Sequence, residues 1–284
     1  MTARRLAGLA PLTLALALGC GGSPPPRTDT APATAEPAAT TAAPEPEIDP
    51  LAGDAQIRFL HVATRATQTA VDGFGVDMDT PLFPGAAYKV PTAYAKVATS
   101  AGDVALLVRG QGLAEFTVQA NVPPGSHNTV FVISDPASAE GLQLVTVDDD
   151  APRAPAEAVR VRFFHALAGA SAVDVCVAGA GRAPATLLFP GVGYGALAAY
   201  LDLPSPPPVR LQVRQASENE CAGRQIGVVE LAATEEHGLL GQNVTLVALG
   251  ALRQPRGRPD VESEVLVSID QPPQSSTFSL PLSR

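Results

Sequence analysis

The sequence predicts an all-β protein: two tandem antiparallel β-sandwich domains of immunoglobulin-like size that follow a disordered tether. Three observations predict it. The segment LFPGAAYKVPTAY at 82–94 returns as LFPGVGYGALAAY at 188–200, with seven of thirteen positions identical. Short runs rich in Val and Ile alternate apolar and polar residues with the two-residue period of a strand. The 28 prolines and 25 glycines interrupt the chain too often for long helices.

From the N-terminus, MTARRLAGLAPLTLALALGC has a basic start at Arg4 and Arg5 and an apolar run from Leu6 to Leu18. This is the build of a secretory signal over residues 1–19, with a run too short to span a bilayer. Its end, Leu16-Ala17-Leu18-Gly19-Cys20, resembles the lipobox of bacterial lipoproteins, with Ala17 where that motif usually has Leu. The resemblance implies cleavage before Cys20 and acylation of that cysteine, hence a membrane partner reached through a lipid anchor. Gly21 stands where enteric lipoproteins retained at the inner membrane carry Asp, so the cell envelope is the expected location and the outer membrane the favoured surface. Residues 20–53 are mostly Pro, Ala, Thr, Gly and acids. With little that is bulky and apolar to bury, they read as an extended tether, whose residues 21–50 alone would reach up to roughly 90 Å at about 3.1 Å per residue.

Beyond the tether, the two halves align along their length. IRFLHVA at 57–63 matches VRFFHAL at 161–167, AVD at 70–72 matches AVD at 172–174, and VALLVR at 104–109 matches VRLQVR at 209–214. A period near 100 residues that occurs twice describes two copies of one domain, read as 54–150 and 158–270, with 147–158 as linker and 271–284 as a tail. In VRVRFFH, Val159, Val161 and Phe163 fall on one strand face and Arg160 and Arg162 on the other. TVFVIS, QLVTV, VTLVALG and EVLVSI are further short strands between turn residues. In the repeated segment, Phe83 and Phe189 suit buried strand ends. Pro84-Gly85 and Pro190-Gly191 suit a tight turn, and Tyr88 and Tyr194 suit rings packed inward with the hydroxyl on a backbone group or water.

The order RFxHA, AVDV, LFxGVxYG, Tyr and VRLxVR resembles the 4397 family of domains of unknown function, found singly or in tandem in secreted and envelope-attached bacterial proteins. The resemblance covers about 55–150 and 158–270. VDGFG at 71–75 departs from the alternating run that VDVCV keeps in the second copy. The family implies fold and location, and brings no activity or catalytic residues with it.

Chemistry-bearing residues are few. With Cys20 acylated in an oxidising compartment, Cys176 and Cys221 are left to pair. Alternation puts Cys176 opposite the Val173 and Val175 face, so the disulfide would pin the ASENECAG loop to the outer side of a strand. His61 and His165 recur at equivalent strand ends. Neither has the spacing of a metal set, so both read as structural histidines bonded to backbone. His127 and His237 read as solvated. Asp72 and Asp174 also recur, and are the first suspects for a carboxylate-dependent hydrolase. Asp148-Asp149-Asp150, Asp77 and Asp79 lack any calcium-loop pattern and read as solvated linker and turn. Asn243-Val244-Thr245 fits a glycosylation triplet, of little weight in a chain with a bacterial lipobox. No nucleophile-elbow, phosphate-loop or dinucleotide motif is present, and no metal or cofactor is implied.

The net charge of −9 becomes −11 once Arg4 and Arg5 leave with the signal, which argues against nucleic acid as a partner. Anchor, tether and duplicated β-domain together imply a non-enzymatic interaction or scaffold module for an envelope protein or glycan. A hydrolase or a passive surface spacer are the alternatives. With no Trp and four Tyr, the chain offers few platforms for stacking sugars.

Overall fold

A computed structural model describes residues 54–283 apart from 76–77, 99–102, 111–115, 136, 138–140, 182, 204–207, 233–237, 253–261 and 272–273. The signal, Cys20, the tether, Asp77 and His237 lie outside the described residues. Both repeats belong to one compact unit, Ile48–Arg284. The first contains β1 (Asp54–His61), β2 (Val71–Gly75), β3 (Phe83–Ala86), β4 (Ala95–Ala98), β5 (Asp103–Gly110), β6 (Phe116–Asn121), β7 (His127–Ser134) and β8 (Leu142–Asp148). The second contains β9 (Arg160–Ala168), β10 (Val173–Val177), β11 (Thr186–Val192), β12 (Leu201–Asp202), β13 (Val209–Gln215), β14 (Gln225–Leu231), β15 (Asn243–Ala251), β16 (Glu264–Gln271) and β17 (Gln274–Pro281). There is no helix among the described residues.

Each repeat is a sandwich of two sheets. Repeat 1 pairs β4-β1-β7-β8 with β3-β2-β5-β6, and repeat 2 pairs β12-β9-β15-β16-β17 with β11-β10-β13-β14. Strand pairs run antiparallel except β1 with β7 and β9 with β15, which run parallel. Residues read as a C-terminal tail instead form β17, in register with β16 from Glu264↔Pro281 to Gln271↔Gln274. Phe278, Leu280 and Leu282 pack on the second core, so the Ser- and Pro-rich composition concealed a period-two strand.

The cores lie in three layers. Phe59, Val71, Phe83, Leu106 and Val130 fill repeat 1, and Val161, Phe163, Val175, Phe189 and Leu246 fill repeat 2. A third cluster joins Leu60, Val62, Phe131, Ile133 and Val147 to Phe164, Ala166, Val247, Leu249 and Leu266. The β1 sheet therefore packs on the β9 sheet, and the molecule is four sheets deep. Phe131 stacks on Phe164 at this junction, with centroids 4.3 Å apart. Strands β1, β7, β9 and β15 are consequently buried on both faces, as their near-continuous apolar runs require.

The two-glycine departure in β2 has a packing cause. A Cβ on Gly73 would sit 2.2 Å from Phe59 Cε2, and its absence lets Phe59 and Phe83 stack at 4.4 Å. In repeat 2, Val175 occupies that position and the corresponding rings, Phe163 and Phe189, stand 6.1 Å apart.

Candidate functional site

The repeated polar residues divide between the repeats' own framework and the seam joining them. Gly85 and Gly191 have φ of 59° and 53°. Their Pro-Gly pairs lie within β3 and β11, opposite a register shift in β2 and β10, so the expected tight turn is a bulge in an edge strand. Proline is tolerated at an edge because it need not donate to a ladder. The glycine amide set free by the bulge donates to the recurring aspartate: Gly85 N–H to Asp72 Oδ1 at 2.6 Å and Gly191 N–H to Asp174 Oδ1 at 2.8 Å. These carboxylates hold a backbone irregularity.

His61 and His165 are buried and engaged on both ring nitrogens. Nδ1 accepts from the amide of Ala63 at 3.3 Å and of Leu167 at 3.1 Å, while Nε2 donates to the carbonyls of Ala66 at 3.1 Å and Ser171 at 3.0 Å. Burial pushes both pKa values below the ordinary 6.5, against backbone bonds that favour the proton. Tyr88 and Tyr194 meet them edge-on at 5.6 and 5.7 Å. Tyr194 donates across the repeats to Ser134 O at 2.7 Å, and burial lifts its hydroxyl to about 12. The Tyr88 hydroxyl is buried with no partner among the described residues.

The acidic run needs correcting. Asp148 and Asp150 are exposed, but Asp149 between them is buried, because strand-like alternation turns it inward. His127 is the first residue of β7, with its amide and Nδ1 2.8 and 3.0 Å from the Asp150 carboxylate. Asp79 is exposed.

Asp149 belongs to a charged seam with approximate two-fold symmetry. Arg58 Nε donates to Thr129 Oγ1 at 2.7 Å and Arg162 Nε to Thr245 Oγ1 at 2.6 Å. Each arginine then reaches into the other repeat: Arg58 Nη2 to Asp270 Oδ1 at 2.9 Å and Arg162 Nη2 to Asp149 Oδ1 at 2.6 Å. Thr129 donates to Asp149 at 2.6 Å, and Thr245 donates to Asp270. Tyr94 and Tyr200, the last residues of the repeated segment, donate to Asp149 and Asp270 at 2.8 Å and lie under Arg58 and Arg162. Burial pushes the Asp270 carboxyl above its usual range, against the pull of Arg162 and Arg58.

All four charges are at most 3% exposed, so the seam offers no surface to a substrate. A buried ion-pair set contributes little net stability, because desolvation offsets its Coulomb gain, whereas each buried Leu, Val or Phe beside it contributes about 1.5–3 kcal/mol. The apolar flank holds the repeats together, and the charges fix how they meet. Sequence reading missed this site because Arg162 alternates with core residues like a solvent-facing side chain. Asp270 carried no signal beyond its place at the end of an apolar run.

Cys176 and Cys221 form a disulfide with Cα atoms 6.1 Å apart. It borders a groove of about 600 Å³ on the outer face of β13 and β14, lined by Arg210, Gln212, Arg214, Glu220 and Gln225 among others. A shallower hollow of about 500 Å³ lies along 82–95 in repeat 1, lined largely by Pro, Ala and Val. No group of three or more His, Cys, Asp or Glu able to hold a metal occurs among the described residues. No helix among them is long and apolar enough to cross a membrane.

The family described as Domain of unknown function (DUF4397) matches residues 55–176, which take in repeat 1 and the first two strands of repeat 2. Over those residues the chain is similar to DUF4397 domains. No curated protein matches the chain. A solved structure titled "Alpha-glucan binding by a streptococcal virulence factor" is 14% identical, with 68% of this chain and 93% of that chain covered and a TM-score of 0.22. At that score the likeness carries no argument about a ligand of this chain.

Proposed function

We propose that this protein is a non-enzymatic, lipid-anchored envelope component, set off from the membrane by its tether and displaying two fused β-sandwiches to an envelope protein or glycan. The observation that carries this reading is the use of the recurring polar residues. Asp72 and Asp174 each secure a bulge, and His61 and His165 are saturated by backbone. The seam charges are sealed between sheets. No set of them meets at a surface as nucleophile, base and oxyanion donors would have to. The lipobox-like Cys20 and the Pro-rich tether support surface display. Because the repeats pack on one another, a partner meets one rigid body, not two beads on a string.

Two measurements test this. Radiolabelled palmitate should enter the wild-type chain and not Cys20→Ala, and label in neither would remove the anchor. The soluble body without its lipidated cysteine, residues 21–284, should bind isolated envelope fractions saturably, with loss after protease or after periodate assigning the partner. Absence of saturable binding to any fraction would favour a passive spacer.

A further inference from the structure

The groove on the second repeat has features that the fold does not require, and they point to one ligand chemistry. Its floor is the outer face of β13, where Arg210, Gln212 and Arg214 alternate with the core residues Val209, Leu211 and Val213. Its walls are the segment after β10 and the loop tied down by Cys176–Cys221. Both walls close through glycine. A Cβ on Gly223 would lie 1.7 Å from Gln215 O, and one on Gly179 would lie 2.3 Å from Ala183 O. Only glycine lets the loop come flush against the strand.

The floor is wired so that donors face outward. Arg214 Nε donates to Gln212 Oε1 at 2.8 Å, Nη1 to Gly223 O at 2.9 Å and Nη2 to Gln225 Oε1 at 3.4 Å. These bonds fix the guanidinium plane and leave two of its five N–H donors free. They also engage both glutamine carbonyls, and both glutamines line the groove. Arg210, about 13 Å along the strand from Arg214, is exposed with no side-chain partner among the described residues. Ser283 at the edge directs its hydroxyl to Val228 O at 3.0 Å. The floor is therefore rich in donors and asks for a ligand rich in acceptors, with a carboxylate to meet the guanidinium fork.

We propose that this groove binds a carboxylate-bearing oligosaccharide. Its polar floor and small-residue walls lack the apolar pockets that anchor a peptide. With no aromatic side chain among the lining residues, a neutral sugar has no stacking platform, whereas a sugar acid is held by charge. Glu220 on the rim and the net negative charge of the chain repel a dense polyanion, which selects isolated carboxylates among hydroxyls. A volume of about 600 Å³ suits a few sugar rings. The site belongs to repeat 2 alone: at the positions of Arg210, Gln212 and Cys176, repeat 1 has Ala105, Leu107 and Phe74, with Arg109 placed over the Phe74 ring at 4.8 Å. The proposal rests on the interaction reading above and names its site.

Titration calorimetry of residues 21–284 with trigalacturonate, its neutral galactose counterpart and triglutamate tests the site. The expected result is saturable binding of trigalacturonate alone, weakened at least about tenfold in Arg210→Ala/Gln212→Leu, which installs the repeat 1 residues without altering the unfolding temperature. Reduction of the disulfide should weaken it too. Equal binding of the neutral trimer, tighter binding of triglutamate, no binding of trigalacturonate or an unaffected double variant would each overturn the proposal. Envelope binding separates the two readings. If it persists when trigalacturonate does not bind, the groove is refuted and the interaction module stands. If the wild-type chain binds no envelope fraction, the interaction reading itself fails.

Discussion

Replacing Asp149 by Asn keeps shape and an acceptor oxygen but removes one of four buried charges. In the native seam two arginines face two aspartates, with Arg162 Nη2 at 2.6 Å from Asp149 and Arg58 Nε at 3.8 Å. The substitution leaves one positive charge without compensation where Arg58 and Arg162 are 0% and 2% exposed. An uncompensated buried charge costs about 3–5 kcal/mol, a large share of the roughly 5–15 kcal/mol that keeps a domain folded. Adding Arg162→Met restores neutrality and should recover most of that loss, so the pair departs strongly from additivity. Arg160→Met is the control: two residues away in the same strand, its bond to Asp202 is solvent-exposed, and its loss should leave stability unchanged. The assay is urea unfolding followed by tyrosine fluorescence. The chain has no Trp, and Tyr94 and Tyr200 lie in the seam itself, so the signal reports the junction. Since both repeats share one unit, a single transition is expected. If Asp149→Asn costs no more than the control, or the double variant loses the sum of the singles, the four charges are not one network.

Other outcomes follow from the same geometry. The 45-residue span between Cys176 and Cys221 predicts that replacing both by Ala costs about 4 kcal/mol in the chain-entropy account, read as a lower urea midpoint; an unchanged midpoint would contradict it. Burial holds the His61 and His165 pKa values below 6.5, so the unfolded chain takes up protons first as pH falls. Stability is then full above 6.5 and declines through the window down to the lowered folded values, and His165→Gln should flatten a midpoint-against-pH plot between about pH 7.5 and pH 5.5. Gly73→Val, the repeat 2 residue, would drive a side chain into the Phe59 ring and should cost about 1–3 kcal/mol by overpacking. Asp174→Ala leaves the Gly191 amide without its carboxylate and should destabilise by about 1–3 kcal/mol.

Much of the fold was legible because strand periodicity and an internal repeat are local signals. VRLQVRQ became β13 with Val209, Leu211 and Val213 inward, and Cys176 fell on the opposite face, beside the loop it pins. What alternation could not convey is what lies against the second face. Arg58 and Arg162 occupy strand positions indistinguishable in sequence from Arg160, which stays partly exposed beside Asp202. The discriminating clue was the lack of alternation nearby: FFHAL and VTLVALG are apolar at successive positions, and a strand with one wet face does not need that. Asp149 was hidden by its exposed neighbours Asp148 and Asp150. The groove was less legible still, because Gln212 and Gln225 acquire their meaning only when Arg214 takes up their carbonyls.

The two repeats differ in sequence along the sheet that carries the groove. At the seam the principal partners are duplicated: Arg58 with Arg162, Thr129 with Thr245, Asp149 with Asp270, Tyr94 with Tyr200, each arginine bonded to the other repeat's aspartate, although Arg162 Nη1 also donates to Asp148 O and Arg58 Nη1 has no such partner among the described residues. Such reciprocal exchange is the pattern of an isologous interface, in which one surface is complementary to itself. Two identical subunits joined this way would have to show the same outer face twice. Fusion in one chain removes that constraint, since the seam can stay symmetric while one outer sheet changes alone. The aligned residues of that sheet differ in sequence: Ala105 against Arg210, Leu107 against Gln212, Phe74 against Cys176. Each turns an apolar position of repeat 1 into a polar group or a staple in repeat 2. Arg210 and Gln212 line the groove that Gly223 and the disulfide close. The near-symmetric seam thus joins the sandwiches as one body, and leaves the outer face of repeat 2 free to carry the proposed recognition site.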